Sequence, residues 1–420
     1  MARYLVGGAV RDRLLGQDSA DRDWVVVGAT PEAMTARGFR PVGKDFPVFL
    51  HPQTGEEHAL ARIERKSGRG HRGFVVQADP DVPLEADLSR RDLTINAMAM
   101  TPGGELIDPW GGAADLQARL LRHVSPAFEE DPLRVLRVAR FAARLDPLGF
   151  QVAPETRALM GRMVRKGMLA ELPAERVWQE TLKALCTERP AVYFKVLRRC
   201  GALEAVFPEL EALFGVPQPP RHHPEVDSGV HTLLVLDQAA RLSDRPEVRF
   251  AALLHDLGKA RTAPLRWPRH VGHEPAGVPL IQALCMRLRV PARFRDLAEL
   301  VGGEHMRVHL ALEMRPETLV RCLEQWDAFR RPERFGDLLT VCEADARGRP
   351  GFEDAPYPQK DFLAGLQSIT AQVQARDFVA RGLSGTEIGA AVHAERVRLA
   401  GEWCPRVNPD VAPKGIGTAR

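Results

Sequence analysis

Asp21-Arg22-Asp23-Trp24-Val25-Val26-Val27 follows a Gly7-Gly8-Ala9-Val10-Arg11-Asp12 turn. Trp24–Val27 is β-branched and aromatic enough to read as a strand, and side chains two apart on a strand point the same way. Asp21 and Asp23 therefore project together, at a spacing that suits one or two divalent cations. Upstream, Tyr4-Leu5-Val6 reads as a strand that enters the double glycine and then a short Arg-bearing helix. Glycines let backbone N–H groups approach a phosphate, and a helix N-terminus adds favourable partial charge. Metal carboxylates beside a phosphate turn suggest phosphoryl or nucleotidyl transfer. A second pair, Asp79 and Asp81, lies beside Pro80 and Pro83 and reads as a solvated loop. The glycine turn matches neither a Walker A loop nor a G-x-G-x-x-G fingerprint.

A chain of 420 residues is long enough for two to four domains. With 45% hydrophobic and 27% charged residues it falls among ordinary soluble globular proteins. The net charge of +3 does not by itself demand nucleic acid. The basic residues are mostly Arg, however, which suits phosphate contacts wherever it clusters. Six cysteines lie far apart without a C-x-x-C pair, as expected of reduced thiols in a cytosolic protein. No signal-peptide pattern or membrane-length apolar run is found, so a cytoplasmic protein without a membrane partner is expected.

The expected organisation is α+β. Residues 1–127 mix short strands (Tyr4–Val6, Trp24–Val27, Val48–Leu50, Phe74–Gln77, Leu106–Ile107) with turns, and Arg62–Gly73 reads as a mobile loop. Residues 128–214 turn helical, near 131–145, 155–166, 174–187 and 190–200. The Pro-rich stretch in 215–227 reads as a linker. A second helical block covers 228–345, and a helical tail covers 346–420 with its last residues frayed.

Arg90-Arg91-Asp92-Leu93-Thr94-Ile95-Asn96 places two arginines beside an Asp and an Asn, suited to polyphosphate and ribose; a capped helix start with solvated charges is the plainer alternative. In Glu130-Asp131-Pro132-Leu133-Arg134-Val135-Leu136-Arg137-Val138-Ala139-Arg140-Phe141, Asp131 reads as an N-cap and Pro132 as the first helical residue. Arg134, Arg137 and Arg140 then share one third of the helix circumference, with Val135, Ala139, Ala142 and Ala143 opposite. Three arginines with no carboxylate in their own stripe point to an external anion such as a triphosphate.

The ordered set of Gly7–Asp12, Asp21-x-Asp23, Arg90-Arg91-Asp92-x-x-x-Asn96 and Glu130-Asp131-x-x-Arg134 resembles the class II tRNA nucleotidyltransferases. These are the CCA-adding enzymes, relatives of bacterial poly(A) polymerases in the polymerase-β-like superfamily. The resemblance implies a nucleotidyltransferase head with a small mixed sheet, followed by an all-helical neck and body. It implies that Asp21 and Asp23 bind catalytic Mg²⁺. Gly8 and Arg11 would contact the nucleotide, Arg91, Arg137 and Arg140 its phosphate and sugar side, and Asp92 the ribose. Asp131 and Arg134 would read the base edges of C and A as a protein template. Asp108 is the one weak candidate for a third metal carboxylate.

A second constellation centres on His255-Asp256 in Phe250-Ala-Ala-Leu-Leu-His-Asp-Leu-Gly-Lys259, read as an apolar helix ending at Gly258. A buried ionisable dipeptide is costly unless coordinated or paired. His231, His273, His305 and Asp345 lie at helix-length separations. Singly each histidine is more readily a structural one; the set suits a transition metal or Mg²⁺. It resembles the HD phosphohydrolase superfamily, which implies His231, His255, Asp256 and Asp345 as metal ligands and His273 and His305 for a second ion. The implied activities are phosphatase, 2′-nucleotidase and 2′,3′-cyclic phosphodiesterase, with Mg²⁺ or a transition metal such as Ni²⁺.

The expected protein thus resembles the bacterial multifunctional form that joins CCA addition to an HD hydrolase. It would catalyse with Asp21 and Asp23 in the head and His255 and Asp256 in the HD domain. Its partners would be tRNA, ATP and CTP, and it would act as a monomer or homodimer. The alternatives are a bacterial poly(A) polymerase with the same head, or an HD nucleotide hydrolase whose head merely binds nucleotide.

Overall fold

The computed structural model describes residues 1–17, 22–42, 48–66 and 74–407, and the chain divides into two compact units, Met1–Val206 and Phe207–Arg420. Asp21 and residues 67–73, the rest of the expected mobile loop, lie outside the described residues, as do the last residues of the tail.

The first unit is built on a mixed sheet. Its strands are β1 (Ala2–Val6), β2 (Asp23–Val27), β3 (Arg40–Val42), β4 (Val48–Leu50) and β5 (Glu57–Leu60). Two more follow after the separate hairpin β6 (Arg62–Lys66) and β7 (Phe74–Ala78), namely β8 (Ala99–Met100) and β9 (Leu106–Ile107). The order is β3-β4-β5-β2-β1-β8-β9, with β2 and β5 parallel and every other neighbouring pair antiparallel. Val25 packs with Val6, Leu88 and Ala97, whereas Val26 packs with Met34, Phe49 and Leu60. A strand covered on both faces explains an apolar run that does not alternate. The expected loop at Arg62 is a strand as far as Lys66, because it pairs with β7.

Register places the chemistry. Val6 lies opposite Asp23, so the end of β1 and the start of β2 meet at the Gly7-Gly8 turn. Gly7 has φ 70° and ψ −133°, backbone that essentially only glycine adopts. The helix Gly8–Leu14 starts at once. The helix Leu133–Leu145 buries Val135, Ala139, Ala142 and Ala143 against the helices Ala174–Leu185 and Ala191–Arg199, as its periodicity predicts.

In the second unit, helices Ser228–Leu242, Pro246–Leu254, His273–Arg287, Ala292–His309 and Pro332–Arg347 pack together. The helix before His255 ends at Leu254, not at Gly258, and a 3₁₀ turn covers Leu257–Arg261. The turn is forced by closeness, since a Cβ on Gly258 would lie 1.8 Å from the His273 carbonyl oxygen. The Pro-rich stretch read as a linker is packed within this unit. Asp227 accepts from the amides of Gly215 at 2.6 Å and Val230 at 2.8 Å, capping the helix Ser228–Leu242. Gln218 is buried against Lys259. Pro supplied the linker reading; buried hydrogen bonds, invisible in sequence, fix the segment instead.

Gly258→Ala should push the 3₁₀ turn away from His273 and lower the stability of the second unit by about 3 kcal/mol, the upper end for overpacking. Urea unfolding of the purified variant checks this, and an unchanged midpoint would contradict the close approach.

Candidate active sites

The first site is a cavity of about 730 Å³ in the first unit. The turn Gly7-Gly8 and Asp23 lie on one side of it, and the residues from Asp131 to Arg144 supply another. Among the described residues its lining has nine arginines against four aspartates, so they make the field inside positive. Phe141 sits among them, with the Arg140, Arg11 and Arg137 guanidinium carbons 4.3, 5.2 and 5.7 Å from its ring centre.

The charges are ordered by a continuous chain of hydrogen bonds. Arg144 donates to Asp12 at 3.0 Å, and Arg11 Nε donates to the other Asp12 oxygen at 2.8 Å. Arg11 Nη1 donates to Asn96 Oδ1 at 2.6 Å, and Asn96 Nδ2 donates to Asp92 Oδ1 at 3.0 Å. Arg137 Nε closes the chain on Asp92 Oδ2 at 2.8 Å. Burial alone would raise the Asp92 carboxyl; Arg137, Asn96 and Arg134 outweigh it and hold the group well below the usual carboxylate range. Burial likewise lowers Arg11, against the support of Asp12.

Five further arginines of the lining, Arg90, Arg91, Arg134, Arg140 and Arg176, are also braced. Arg140 donates to Glu180 at 2.6 Å, and Arg176 to Asp131 at 2.9 Å; both partners come from the helix Ala174–Leu185. Arg134 donates to the carbonyls of Ala127 at 2.7 Å and Arg90 at 2.5 Å. Buried Asp87 accepts from Arg90 at 3.0 Å and Arg91 at 3.4 Å.

The second site lies inside the second unit. His231 Nε2 and His255 Nε2 face Asp345 Oδ1 at 2.9 and 3.7 Å, and Asp256 Oδ2 stands 3.1 Å from His255 Nε2. Asp256 Oδ1 turns to His273 Nε2 at 3.3 Å and His305 Nε2 at 3.7 Å. One aspartate thus borders two adjoining donor groups.

Tautomers settle what the groups can do. His255, His273 and His305 place Nδ1 at 2.7, 2.8 and 3.0 Å from the carbonyls of Ala252, His270 and Val301. His231 places Nδ1 2.9 Å from Glu225. A carbonyl only accepts, so Nδ1 of His255, His273 and His305 carries the proton and each of these neutral rings turns an Nε2 lone pair inward. His231 stands between two carboxylates, Glu225 at Nδ1 and Asp345 at Nε2, each of which only accepts. Lone pairs then face carboxylates, and His273 and His305 face each other at 3.2 Å. His255 Nε2 and both Asp256 oxygens are buried without a hydrogen bond of good geometry, although the Lys259 ammonium lies 2.5 Å from Asp256 Oδ2. Such a donor set fits a divalent cation. Without one, protons take its place: against burial, hydrogen bonds to Asp345 and Glu225 raise His231 to about 9, and Asp256 raises His273. Burial lowers His305 to about 3.

The chain is similar to known proteins over nearly its whole length. Family models match at residues 3–122 (poly A polymerase head domain), 149–214 (probable RNA and SrmB-binding site of polymerase A) and 229–331 (HD domain). The Multifunctional CCA protein of Thioalkalivibrio sulfidiphilus is 61% identical over 407 residues, covering 96% of this chain and 100% of that protein. That of Pseudomonas aeruginosa is 58% identical over 400 residues, covering 95% and 97%. This chain belongs to the multifunctional CCA protein family. Two solved structures share the fold. The Bacillus stearothermophilus CCA-adding enzyme in complex with CTP has a TM-score of 0.63 at 24% identity, covering 95% of this chain and 89% of that one. The Thermotoga maritima CCA-adding enzyme complexed with tRNA has a TM-score of 0.60 at 21% identity, covering 98% and 90%. The polymerase-type head and the HD domain imply dependence on a divalent metal.

In this family member the structure gathers Gly8, Arg11, Asp23, Arg91, Asp92, Asp131, Arg134, Arg137 and Arg140 around one cavity. It gathers His231, His255, Asp256 and Asp345 around the other centre, with His273 and His305 beside them. Asp108 does not join the first site. Its oxygens cap the helix Gly112–Ala118 through the amides of Gly112 at 2.7 Å and Ala113 at 2.8 Å. The stripe has no carboxylate of its own, as expected, but the inference that only an external anion could balance it is corrected: Asp92 and Glu180 reach it from other segments. Sequence reasoning missed Asp87, Arg144, Arg176, Glu180, Glu225 and His309. Arg144 extends the 134-137-140 spacing and was findable; the others depend on packing between distant segments.

Asp92→Asn should remove about 2 kcal/mol of stability at neutral pH, within the range for hydrogen bonds to charged groups. Because the folded carboxyl is depressed, its contribution is complete above the unfolded value near 4 and is lost as pH falls through the folded one. Urea unfolding between pH 7 and 3 should therefore show the gap between wild type and variant narrowing below about pH 4.

Proposed function

We propose that this protein adds C, C and A to tRNA 3′ ends from CTP and ATP, and that its HD domain is a metal-dependent phosphohydrolase. The observation that carries the first part is the cavity where Asp23, the Gly7-Gly8 turn and the Asp131–Arg134 pair meet. A carboxylate at a strand start beside nine arginines suits a triphosphate with a hard cation. Mg²⁺ held by Asp21 and Asp23 would activate the terminal hydroxyl of the tRNA and neutralise the departing pyrophosphate. Gly8 presents backbone amide to the phosphates. Arg91, Arg137 and Arg140 hold the phosphate and sugar side, with Asp92 keeping Arg137 in place near the ribose. Arg11, buried and bonded to Asp12 and Asn96, sets the shape of the floor. Asp131 and Arg134 read the base, and the helical region 128–214 holds the tRNA. The relatives favour this reading over a poly(A) polymerase with the same head or an HD hydrolase with an idle one.

In the HD domain His231, His255, Asp256 and Asp345 would hold one divalent ion, with His273 and His305 beside Asp256 for a second. When bound, the metal supplies a Lewis acid and a water of lowered pKa for phosphate-ester hydrolysis. The substrates proposed are 2′,3′-cyclic phosphates, 2′-nucleotides and phosphomonoesters, the damaged ends that would block CCA addition. Both reactions are placed in the cytoplasm.

Purified protein incubated with tRNA lacking CCA should add three nucleotides and stop; a long A tract would overturn the reading in favour of a poly(A) polymerase. Asp23→Ala should abolish addition yet retain 2′,3′-cyclic phosphate hydrolysis, whereas His255→Ala should do the reverse. Loss of both activities in a folded variant would count against two separate sites.

Asp131→Ala should change nucleotide choice by about 1–3 kcal/mol in relative incorporation, while Arg137→Ala should weaken CTP and ATP alike. Single-turnover incorporation of all four nucleotides separates the two; an unchanged preference in Asp131→Ala would rule out the template role.

A further inference from the structure

Asp345 uses only one oxygen toward the proposed metal centre. Its Oδ1 faces His231 and His255, while its Oδ2 lies 2.8 Å from His309 Nε2. His309 stands one turn after His305 at the end of the helix Ala292–His309, yet its tautomer is opposite to that of His255, His273 and His305. A carboxylate cannot donate, so the His309 proton toward Asp345 sits on Nε2. In the neutral ring this leaves Nδ1 as an acceptor, and Tyr357 Oη stands 2.8 Å from it. The phenol can donate there, and buried Tyr357 is held at the start of the helix Pro358–Thr370. Its neighbours fasten the same corner: Gln359 donates to the His309 carbonyl at 3.2 Å, and Lys360 to Glu343 at 2.7 Å. Tyr357 lies well beyond the HD family match, which ends at residue 331.

We infer that Tyr357, acting through His309, is a positioning device for the HD metal centre, fixing Asp345 so that Oδ1 is turned to the cation. His309 Nε2 meets the other oxygen of Asp345, not the one that faces His231 and His255, so it braces that ligand and is not a further one. Orienting partners behind a metal ligand are worth ten- to a hundredfold in metal affinity. The inference rests on the proposal that His231, His255, Asp256 and Asp345 bind metal, and it makes the C-terminal segment after residue 345 part of the hydrolase site.

The test uses the full chain stripped with chelator, with Co²⁺ as the probe, read by its visible absorption and by equilibrium dialysis. Wild type, His255→Ala, Tyr357→Phe, His309→Leu and the Tyr357→Phe/His309→Leu double variant are compared. Tyr357→Phe keeps the ring and removes only the hydroxyl. It should weaken Co²⁺ binding roughly tenfold and shift the absorption band, with the metal-free thermal midpoint showing that the chain is folded. Because the hydroxyl acts through His309, it should matter little once His309 is leucine. Wild-type affinity in Tyr357→Phe, or an equal loss in both backgrounds, would overturn the inference alone. Failure of the wild type to bind Co²⁺ more tightly than His255→Ala would overturn the metal reading itself.

Discussion

The first unit depends on a chain of alternating charge that runs Arg144, Asp12, Arg11, Asn96, Asp92, Arg137. Its members come from three segments far apart in sequence: the helix after the glycine turn, the Arg90–Asn96 motif and the helix Leu133–Leu145. Removing a middle link would leave an unpaired buried charge, which costs far more than the net gain from forming the pair. The network therefore fixes the three segments together more through the penalty of breaking it than through surplus stability. A wall of like-charged guanidiniums stays in place because Arg11, Arg90, Arg91, Arg134, Arg137, Arg140, Arg144 and Arg176 are tied to carboxylates or carbonyls. Charge preorganised in this way need not be rearranged when a triphosphate arrives.

The HD centre takes the opposite course. The Nδ1 protons of His255, His273 and His305 are committed to backbone carbonyls, so their inward-facing nitrogens join Asp256 and Asp345 as acceptors, with the Lys259 ammonium 2.5 Å from Asp256 as a donor at the border. Acceptors facing one another in a buried space raise the energy of the folded chain until protons or cations enter. Whereas the head ties its cations to carboxylates and carbonyls, this centre gathers more acceptors than Lys259 alone can satisfy, and that excess suits a cation.

Local rules carried much of this into the sequence. β1 and β2 were legible from apolar runs, and the helix Leu133–Leu145 from its 3.6 period, within two residues of its observed start. The ordered motifs singled out the lining of both centres. What was not legible is what pairs across long separations. Glu180 and Arg176 look like ordinary charges on an amphipathic helix, and Asp87 like a first-turn acid. The Pro-rich stretch before Ser228 has a linker's composition, yet Glu225 and Gln218 within it are buried partners of the HD residues. β5 and β8 are too short and too mixed for periodicity to declare them, and exist because the neighbouring strands offer edges.

The bracing of the proposed base-reading pair bears on how one site can accept two nucleotides. Asp131 already accepts from Arg176, and Arg134 already donates to two carbonyls. A bound base must therefore share these groups or displace a partner, and the gain is the difference between the old hydrogen bonds and the new. That difference is smaller than the value of a fresh contact, but it is strict about geometry. A base that turns an acceptor to Asp131 where C and A present their exocyclic amino group would lose the Arg176 bond and gain nothing. Under the proposed template role, selectivity for C and A over U and G would then come from a penalty built into the apo site as much as from attraction, and Arg176 would help to set its size at Asp131.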